Sequence, residues 1–126
     1  MKIYLAAPWA EQAAARQARD LFVVRGITVT SQWLDHPDTT DPRELERQAL
    51  SDLADLELAN AFVLLNLGKS EGKAFEFGFA YATDMTCIVI GRREHNIFYH
   101  LPDVSIVETV EKAIDRLWEL HPYAVR

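Results

Sequence analysis

The sequence SEGKAFEFGFAYA, residues 70–82, stands between two runs that have the length and composition of buried strands. The first run is AFVLLNL, residues 61–67, and the second is TCIVI, residues 86–90. Residues 70–82 begin with a polar, glycine-containing segment and continue with about two or three turns of helical pattern. Strand, loop, helix and strand make a βαβ crossover, in which the loop after the first strand faces a ligand crevice.

Glu76 is the acidic residue in the apolar part of this stretch, with phenylalanine and alanine on both sides of it. A carboxylate among apolar neighbours is costly to bury unless it has a partner or a purpose. Gly78 follows, and a glycine inside a helix costs about 1 kcal/mol relative to alanine, which indicates that a backbone or a ligand approaches closely there. Glu76 is therefore the leading candidate for chemistry, and a surface glutamate on an amphipathic helix is the alternative.

Outward from this unit, strand-like and helix-like segments alternate along the whole chain. Asp41 and Pro42 are a good N-cap and first residue for a helix, and Gly26 ends an earlier one. The alternation predicts an α/β protein with a doubly wound, mainly parallel sheet of four or five strands, in a single domain over residues 1–126. The predicted strands are residues 2–7, 27–31, 61–67, 86–90 and, as the fifth, 104–106, and the other predicted helices are residues 11–24, 42–60 and 108–120.

The length and the net charge of the chain argue against some classes of function. A chain of 126 residues with a formal net charge of −6 fits one globular core and argues against a broad surface for nucleic acid or membranes. Cys87 is the single cysteine, so no internal disulfide forms. The start MKIYL is too soon interrupted for a signal peptide, and no apolar run approaches the roughly 18 residues of a membrane span. We therefore expect a soluble, cytoplasmic protein that acts on a small molecule, without nucleic-acid or membrane partners.

The carboxyl ends of the predicted strands bring several reactive side chains to one edge of the sheet. Aromatic faces beside a buried carboxylate suit a planar heterocycle attached to a sugar. The histidines lack metal-ligand spacing, and neither a phosphate-binding glycine loop nor a nucleophile elbow occurs, so we expect no metal and no cofactor. The residues at these strand ends are Trp9, Trp33, Ser70, Gly72, Glu76, His95 and Asn96.

Two further acids, Asp52 and Asp55, lie in the predicted second helix. Asp52 falls between apolar positions near the core-facing edge, whereas Asp55 fits better as a solvated charge. If Asp52 meets Glu76, the pair has what glycosyl transfer needs, because one carboxylate attacks the anomeric carbon and the other moves the proton of the leaving group. The inward stripe expected for this helix is Leu45, Ala49, Leu53, Leu56 and Ala59.

Three motifs resemble one known family, which comprises the nucleoside 2-deoxyribosyltransferases and the 2′-deoxynucleoside 5′-monophosphate N-glycosidases. Residues 3–8, IYLAAP, resemble the family's YLAGP start. Asp52, eight residues before Asn60, matches the family's aspartate on a helix. The spacing Ser70-x-Gly72-x-x-x-Glu76-x-Gly78-x-Ala80 matches the family's most diagnostic motif. The resemblance covers nearly the whole chain.

The resemblance implies a Rossmann-like (flavodoxin-like) three-layer sandwich and cleavage or transfer at the N-glycosidic bond of a (deoxy)nucleoside or its 5′-monophosphate. It implies that Glu76 attacks C1′ and forms a glycosyl-enzyme, that Asp52 moves the proton of the base, and that Tyr4 positions sugar and nucleophile. A second base then completes a transferase reaction, and water completes a hydrolase reaction. The substrate-binding residues expected around them are Ala7, Trp9, Trp33, Ser70, Gly72 and Asn96.

The motifs leave open whether the substrate is a nucleoside or a nucleoside 5′-monophosphate. Ser70 is similar to the serine that contacts the 5′-phosphate in the nucleotide hydrolases, where the transferases carry an aspartate, and a hydroxyl at a helix start accepts phosphate. Ala7, however, replaces the usual glycine, and the first loop lacks the family's glycine-, serine- and arginine-rich phosphate grip. The cations available for a phosphate are Arg16, Arg19, Lys73 and Arg92.

The family also implies a homodimer or a larger homo-oligomer, in which residues 92–99 complete a neighbour's site. A different class of function stays open beside the enzyme, namely a non-catalytic module that binds or sequesters a nucleotide in the same pocket. Recovery of the nucleotide intact after long incubation would distinguish this module from an enzyme.

Overall fold

A five-stranded, all-parallel sheet forms the centre of the computed structural model, which describes residues 1–91 and 95–124. The strands are β1 Lys2–Ala6, β2 Thr28–Val29, β3 Ala61–Leu65, β4 Thr86–Ile90 and β5 Val104–Val107. The helices are α1 Gln12–Val24, α2 Pro42–Leu58, α3 Glu71–Ala82 and α4 Val110–Leu120, and short 3-10 helices span Trp9–Glu11, Gln32–Asp35 and Ile97–His100. The predicted α/β fold is confirmed, and the sheet has five strands.

The strand order β2-β1-β3-β4-β5 is that of a doubly wound, Rossmann-like sheet. Right-handed crossovers place α1 on one face and α2 and α3 on the other. Helix α4 packs beside α1, which completes a three-layer sandwich. The order reverses between β1 and β3, and ligands in such folds bind outside the carboxyl ends of the strands at this reversal.

An aromatic stack fixes α3 to the middle of the sheet. Tyr4 of β1 is fully buried and stacks on Phe62 of β3, with ring centroids 6.1 Å apart. Phe62 meets Phe77 of α3 edge to face, again at 6.1 Å. Because Glu76 is the neighbour of Phe77 in the chain, this packing also fixes where the Glu76 side chain leaves the helix.

Side-chain caps set the starts of the two helices that flank the reversal point. Asp41 accepts a hydrogen bond from the Arg43 amide at 3.0 Å, with Pro42 as the first helical residue, as predicted. The Ser70 hydroxyl accepts from the Lys73 amide at 3.4 Å. Ser70 thus begins α3, so its presence already has a structural reason before any ligand is considered.

Strand β2 has two residues instead of the predicted five, because side chains replace its backbone ladder. The Ser31 hydroxyl accepts from the Leu5 amide at 2.7 Å. The Trp33 indole Nε1–H donates to the Leu5 carbonyl oxygen at 2.8 Å. The N–H and the C=O of Leu5, which both point from β1 toward the β2 side, therefore have hydrogen-bond partners without a longer β2.

The expected inward stripe of α2 is confirmed in the carboxyl-terminal half, where Leu56 is buried and Leu53 and Ala59 pack against the core, and it is wrong in the amino-terminal half. Leu45 and Ala49, which were expected inside, are exposed, whereas Asp55, which was expected in solvent, is only 1% exposed. The Asp55 carboxylate accepts from Gln32 N at 2.9 Å and from Gln32 Nε2 at 2.8 Å. Asp55 is therefore a structural residue that binds α2 to the segment after β2.

Replacement of Asp55 by alanine should lower the free energy of unfolding by about 2 kcal/mol, because it removes the acceptor of two hydrogen bonds in a buried place. Urea denaturation would measure this loss. Asp115→Ala, at an exposed position on α4, is the matched control and should change stability by less than about 0.5 kcal/mol. An unchanged unfolding midpoint for Asp55→Ala would contradict the structural role.

The described residues contain no helix with both the length and the apolar character needed to cross a lipid bilayer.

Candidate active site

A cavity of about 140 Å³ lies at the carboxyl ends of β1 and β3, between α2 and α3. Asp52 from α2 and Glu76 from α3 both line it, so the two acids share one space. Of the expected catalytic and substrate-binding residues, all but Tyr4 and Asn96 belong to its wall. The wall comprises Ala7, Trp9, Trp33, Gln48, Asp52, Ser70, Gly72, Lys73 and Glu76.

Tyr4 lies directly behind Glu76, and its hydroxyl donates a hydrogen bond to Glu76 Oε2. Burial raises the pKa of Tyr4 above its ordinary value, and the nearby Glu76 and Asp52 charges raise it further. The phenol therefore stays protonated and remains a hydrogen-bond donor. Tyr4 is thus placed to hold one carboxylate oxygen of Glu76 while the other is left for the cavity.

Burial raises the pKa of Glu76 to about 7, the Tyr4 hydrogen bond opposes this rise, and the charge of Asp52 adds to it. Burial also raises the pKa of Asp52 to about 6, against a lowering by His36 and with a smaller rise from Asp55. The two acids therefore exchange protons close to neutral pH. Because the charge of Asp52 makes ionisation of Glu76 harder, the pair can hold one proton while the other acid is ionised.

Two tryptophans form the aromatic side of the cavity. Trp33 is buried and anchored through Leu5, whereas Trp9 is 38% exposed. Their ring centroids are 6.0 Å apart and their planes are tilted by 42°. A fixed indole beside a partly exposed one offers apolar faces to a planar ring next to the two carboxyl groups.

Asn96 does not join this group. It lines a second cavity of about 510 Å³, and its side-chain oxygen accepts from the Phe98 amide at 2.9 Å, which caps the 3-10 helix Ile97–His100. Ser70 and Lys73 belong to both cavities, so the two adjoin. The wall of the second cavity comprises Lys69, Ser70, Glu71, Lys73, Ala74, His95, Asn96 and Tyr99.

The expected cations are distributed unevenly around these cavities. Arg16 donates to the Leu34 carbonyl oxygen at 3.3 Å, and Arg19 pairs with Asp35 at 2.8 Å. Both side chains therefore bind α1 to the segment after β2. Lys73 is buried at the junction of the two cavities, where its Nζ donates to Asn66 Oδ1 at 2.8 Å. Arg92 lies outside the described residues, as do the two residues after it.

Gln48 was not among the predicted site residues, and His36 was considered only as one of the histidines that lack metal-ligand spacing. Gln48 lines the cavity one helical turn before Asp52, and this spacing on one helix face was the available signal. The expected close approach at Gly78 is not found within the described chain, because a Cβ added there would face open space. No group of three or more His, Cys, Asp or Glu side chains suited to a metal ion occurs in residues 1–91 and 95–124.

Neither the comparison with models of protein families nor the comparison with curated proteins gave a match.

Replacement of Tyr4 by phenylalanine should raise the pKa of Glu76 above about 7, because the hydrogen bond that favours the carboxylate is lost. A hydrogen bond to a charged group corresponds to a shift of about one pKa unit or more. Titration of the Glu76 side-chain carbon by ¹³C NMR would measure it. Tyr81→Phe, which removes a hydroxyl bonded to Asp103 on the surface, is the control, and equal Glu76 titrations in all three proteins would disprove the effect.

Proposed function

We propose that this protein cleaves the N-glycosidic bond of a (deoxy)nucleoside or its 5′-monophosphate through a glycosyl-enzyme on Glu76. One observation carries the proposal: Asp52 and Glu76 line the same cavity, and burial raises the pKa of both. Retaining glycosyl chemistry needs two such carboxyl groups, one ionised as the nucleophile and one protonated as the acid. The reactive form has Glu76 ionised and Asp52 protonated, and it is the less populated of the two one-proton forms, because the pKa of Asp52 is the lower of the two. The resemblance of the motifs around these acids to the deoxyribosyltransferase family points to the same reaction.

In the proposed reaction, the Glu76 carboxylate attacks C1′ while Tyr4 holds its second oxygen. The bond between C1′ and the base nitrogen breaks, its electron pair stays on the base, and the base takes the proton of Asp52. Water or a second base then attacks C1′, and the Asp52 carboxylate accepts the proton of that nucleophile. This step frees the Glu76 carboxylate and returns Asp52 to its acid form.

The adjoining cavity supports a 5′-monophosphate as the substrate. The amino end of the twelve-residue helix α3 faces this space with Ser70, and two lysines, Lys69 and Lys73, line it beside one carboxylate, Glu71. Backbone amides at a helix start and ammonium groups favour phosphate, whereas a free 5′-hydroxyl needs neither. We therefore place the phosphate beside Ser70 and the sugar between Glu76 and Asp52.

A substrate panel tests the proposal. Deoxynucleosides, ribonucleosides and their 5′-monophosphates are incubated with the protein, with and without a second free base, and the products are separated by chromatography. A new nucleoside or nucleotide identifies transfer, and free base with the sugar or sugar phosphate identifies hydrolysis. If every substrate stays intact and calorimetry shows tight binding, the protein is a non-catalytic nucleotide-binding module and not an enzyme.

We also propose that the protein works as a homodimer or larger homo-oligomer. Large apolar side chains are exposed on the two helices that flank the cavity, with Leu50 of α2 61% and Phe75 of α3 64% exposed. Exposed apolar side chains on neighbouring elements are typical of surfaces that associate. Light scattering during size-exclusion chromatography would give the mass in solution.

A further inference from the structure

Gln48 is a polar side chain in the cavity wall to which the proposed reaction gives no part. It lies on α2 one helical turn before Asp52, so both side chains leave the same face of the helix and line the same space of about 140 Å³. A carboxamide carries one acceptor oxygen and two N–H donors, and it does not titrate. Gln48 is therefore suited to the recognition of a polar group and not to proton transfer.

A backbone carbonyl group sets the orientation of the Gln48 carboxamide. Its Nε2 donates to the Pro37 carbonyl oxygen at 3.3 Å. Because a carbonyl oxygen only accepts, the nitrogen of the amide has to face Pro37, and Oε1 is the atom on the other side. Within residues 1–91 and 95–124, Gln48 makes no other side-chain hydrogen bond. The carboxamide thus presents a hydrogen-bond acceptor whose direction is decided by Pro37.

The segment that orients Gln48 is itself held in place. Gln12 of α1 donates through Nε2 to the carbonyl oxygens of Trp33 and His36, at 2.9 and 3.0 Å. Trp33 is buried in the cavity wall, where its indole bonds to β1. The same segment therefore supplies the fixed aromatic face of the cavity and the carbonyl group that orients the Gln48 amide.

The proposed reaction places the base between these groups, because a base that takes the proton of Asp52 lies beside it. A helix that joins two parallel strands runs antiparallel to them, so Gln48, nearer the amino end of α2, lies nearer the carboxyl edge of the sheet. Four residues correspond to about 6 Å along the helix axis, which is the scale of one base. With the protonated atom of the base at Asp52, its edge farthest from the sugar reaches Gln48.

We propose that Gln48 is a specificity-determining residue, whose Oε1 accepts a hydrogen bond from the exocyclic amino group of a cytosine or adenine base. In uracil and hypoxanthine a carbonyl oxygen replaces that amino group, so two acceptors would face each other without a hydrogen between them. The protein then selects amino bases over the corresponding oxo bases. This assignment rests on the proposed function, since the proton transfer from Asp52 places the base.

Calorimetry tests the assignment with the 2′-deoxynucleoside 5′-monophosphates of cytosine, uracil, adenine and hypoxanthine, in a Glu76→Gln background that should leave them uncleaved. With Gln48 present, we expect each amino nucleotide to bind about tenfold more tightly than its oxo counterpart. Gln48→Leu should bring both ratios to about one. Gln48→Lys offers donors only and should reverse the preference. Gln17→Leu, at an exposed glutamine on α1, is the control and should keep the ratios.

The ratio of affinities distinguishes base recognition from a structural role. If Gln48 only holds the Pro37 segment, Gln48→Leu weakens the binding of all four nucleotides alike, and unchanged ratios would overturn the proposal. Equal affinities for amino and oxo nucleotides in the protein that carries Gln48 would overturn it as well. This second result needs no substitution at position 48, so a variant that fails to fold does not prevent the test.

Product analysis of the protein with Glu76 separates this proposal from the proposed function. A protein that prefers the amino nucleotides through Gln48 but leaves all four intact refutes the cleavage and supports the recognition. Cleavage of amino and oxo nucleotides with equal kcat/KM refutes the recognition alone. Neither binding nor cleavage of any of the four would refute both.

Discussion

Replacement of Glu76 by glutamine should lower kcat for base release by at least about 10³-fold, because an amide cannot attack C1′ and no second nucleophile of that kind is expected to take over. Glutamine keeps the shape of the side chain, and its Oε1 can still accept the Tyr4 hydroxyl hydrogen that Glu76 Oε2 accepts now. The loss of kcat would therefore come from the missing nucleophile and not from a change in the shape of the site. In the native protein, rapid quenching followed by mass spectrometry should detect a glycosyl adduct, and digestion should locate it on Glu76.

Stability measurements distinguish lost chemistry from lost folding in this variant. The pKa of Glu76 in the folded protein, about 7, lies above the ordinary value of 4.5. Its protonated form thus favours the fold, and that contribution is lost as the pH rises from about 4.5 through 7. Glutamine does not ionise, so Glu76→Gln should melt at or above the native temperature at pH 8.

The control for this variant is Glu46→Gln, at an exposed position on α2, which should keep native kcat and stability. Full turnover in Glu76→Gln would refute the glycosyl-enzyme. An inactive Glu76→Gln that also melts well below the native protein at pH 8 would show that Glu76 stabilises the fold instead.

Local patterns were sufficient to predict the elements that build the central crossover. Residues 86–90 were predicted as a strand and form β4 Thr86–Ile90, because a short, uncharged run rich in β-branched residues has few alternatives to a buried strand. Glu76 could be selected from the sequence as a site residue, because the apolar residues on both sides of it in the chain indicate that it is buried. The shared cavity of Asp52 and Glu76 follows from the crossover geometry, which brings α2 and α3 to the same face of the sheet.

Contacts between distant residues decided what the local patterns missed. Asp55 is buried because Gln32 supplies it with two donors, and a helix pattern carries no sign of that partner. Strand β2 ends early because the Ser31 hydroxyl bonds to Leu5, which competes with a backbone ladder that composition alone favours. Both contacts lie in the segment after β2, so this segment was the part of the site least open to prediction.

Replacement of Asp52 by asparagine should lower kcat about 10²- to 10³-fold on ordinary nucleotides, because the departing base then takes its proton from water. The size of the loss should depend on the base. An N7-methylated purine carries a positive charge and leaves as a neutral molecule without taking a proton. On such a substrate, Asp52→Asn should lose less than about tenfold, whereas Glu76→Gln should stay inactive on both.

This contrast assigns the two acids separately, which a loss of activity alone does not do. Asp115→Asn, at an exposed position on α4, is the matched control and should keep native rates on both substrates. Because burial raises the pKa of Asp52 to about 6, the native rate on an ordinary nucleotide should fall at high pH as the acid ionises, and this fall should disappear with the methylated base. An equal loss on the two substrates would mean that Asp52 positions the sugar instead of protonating the base.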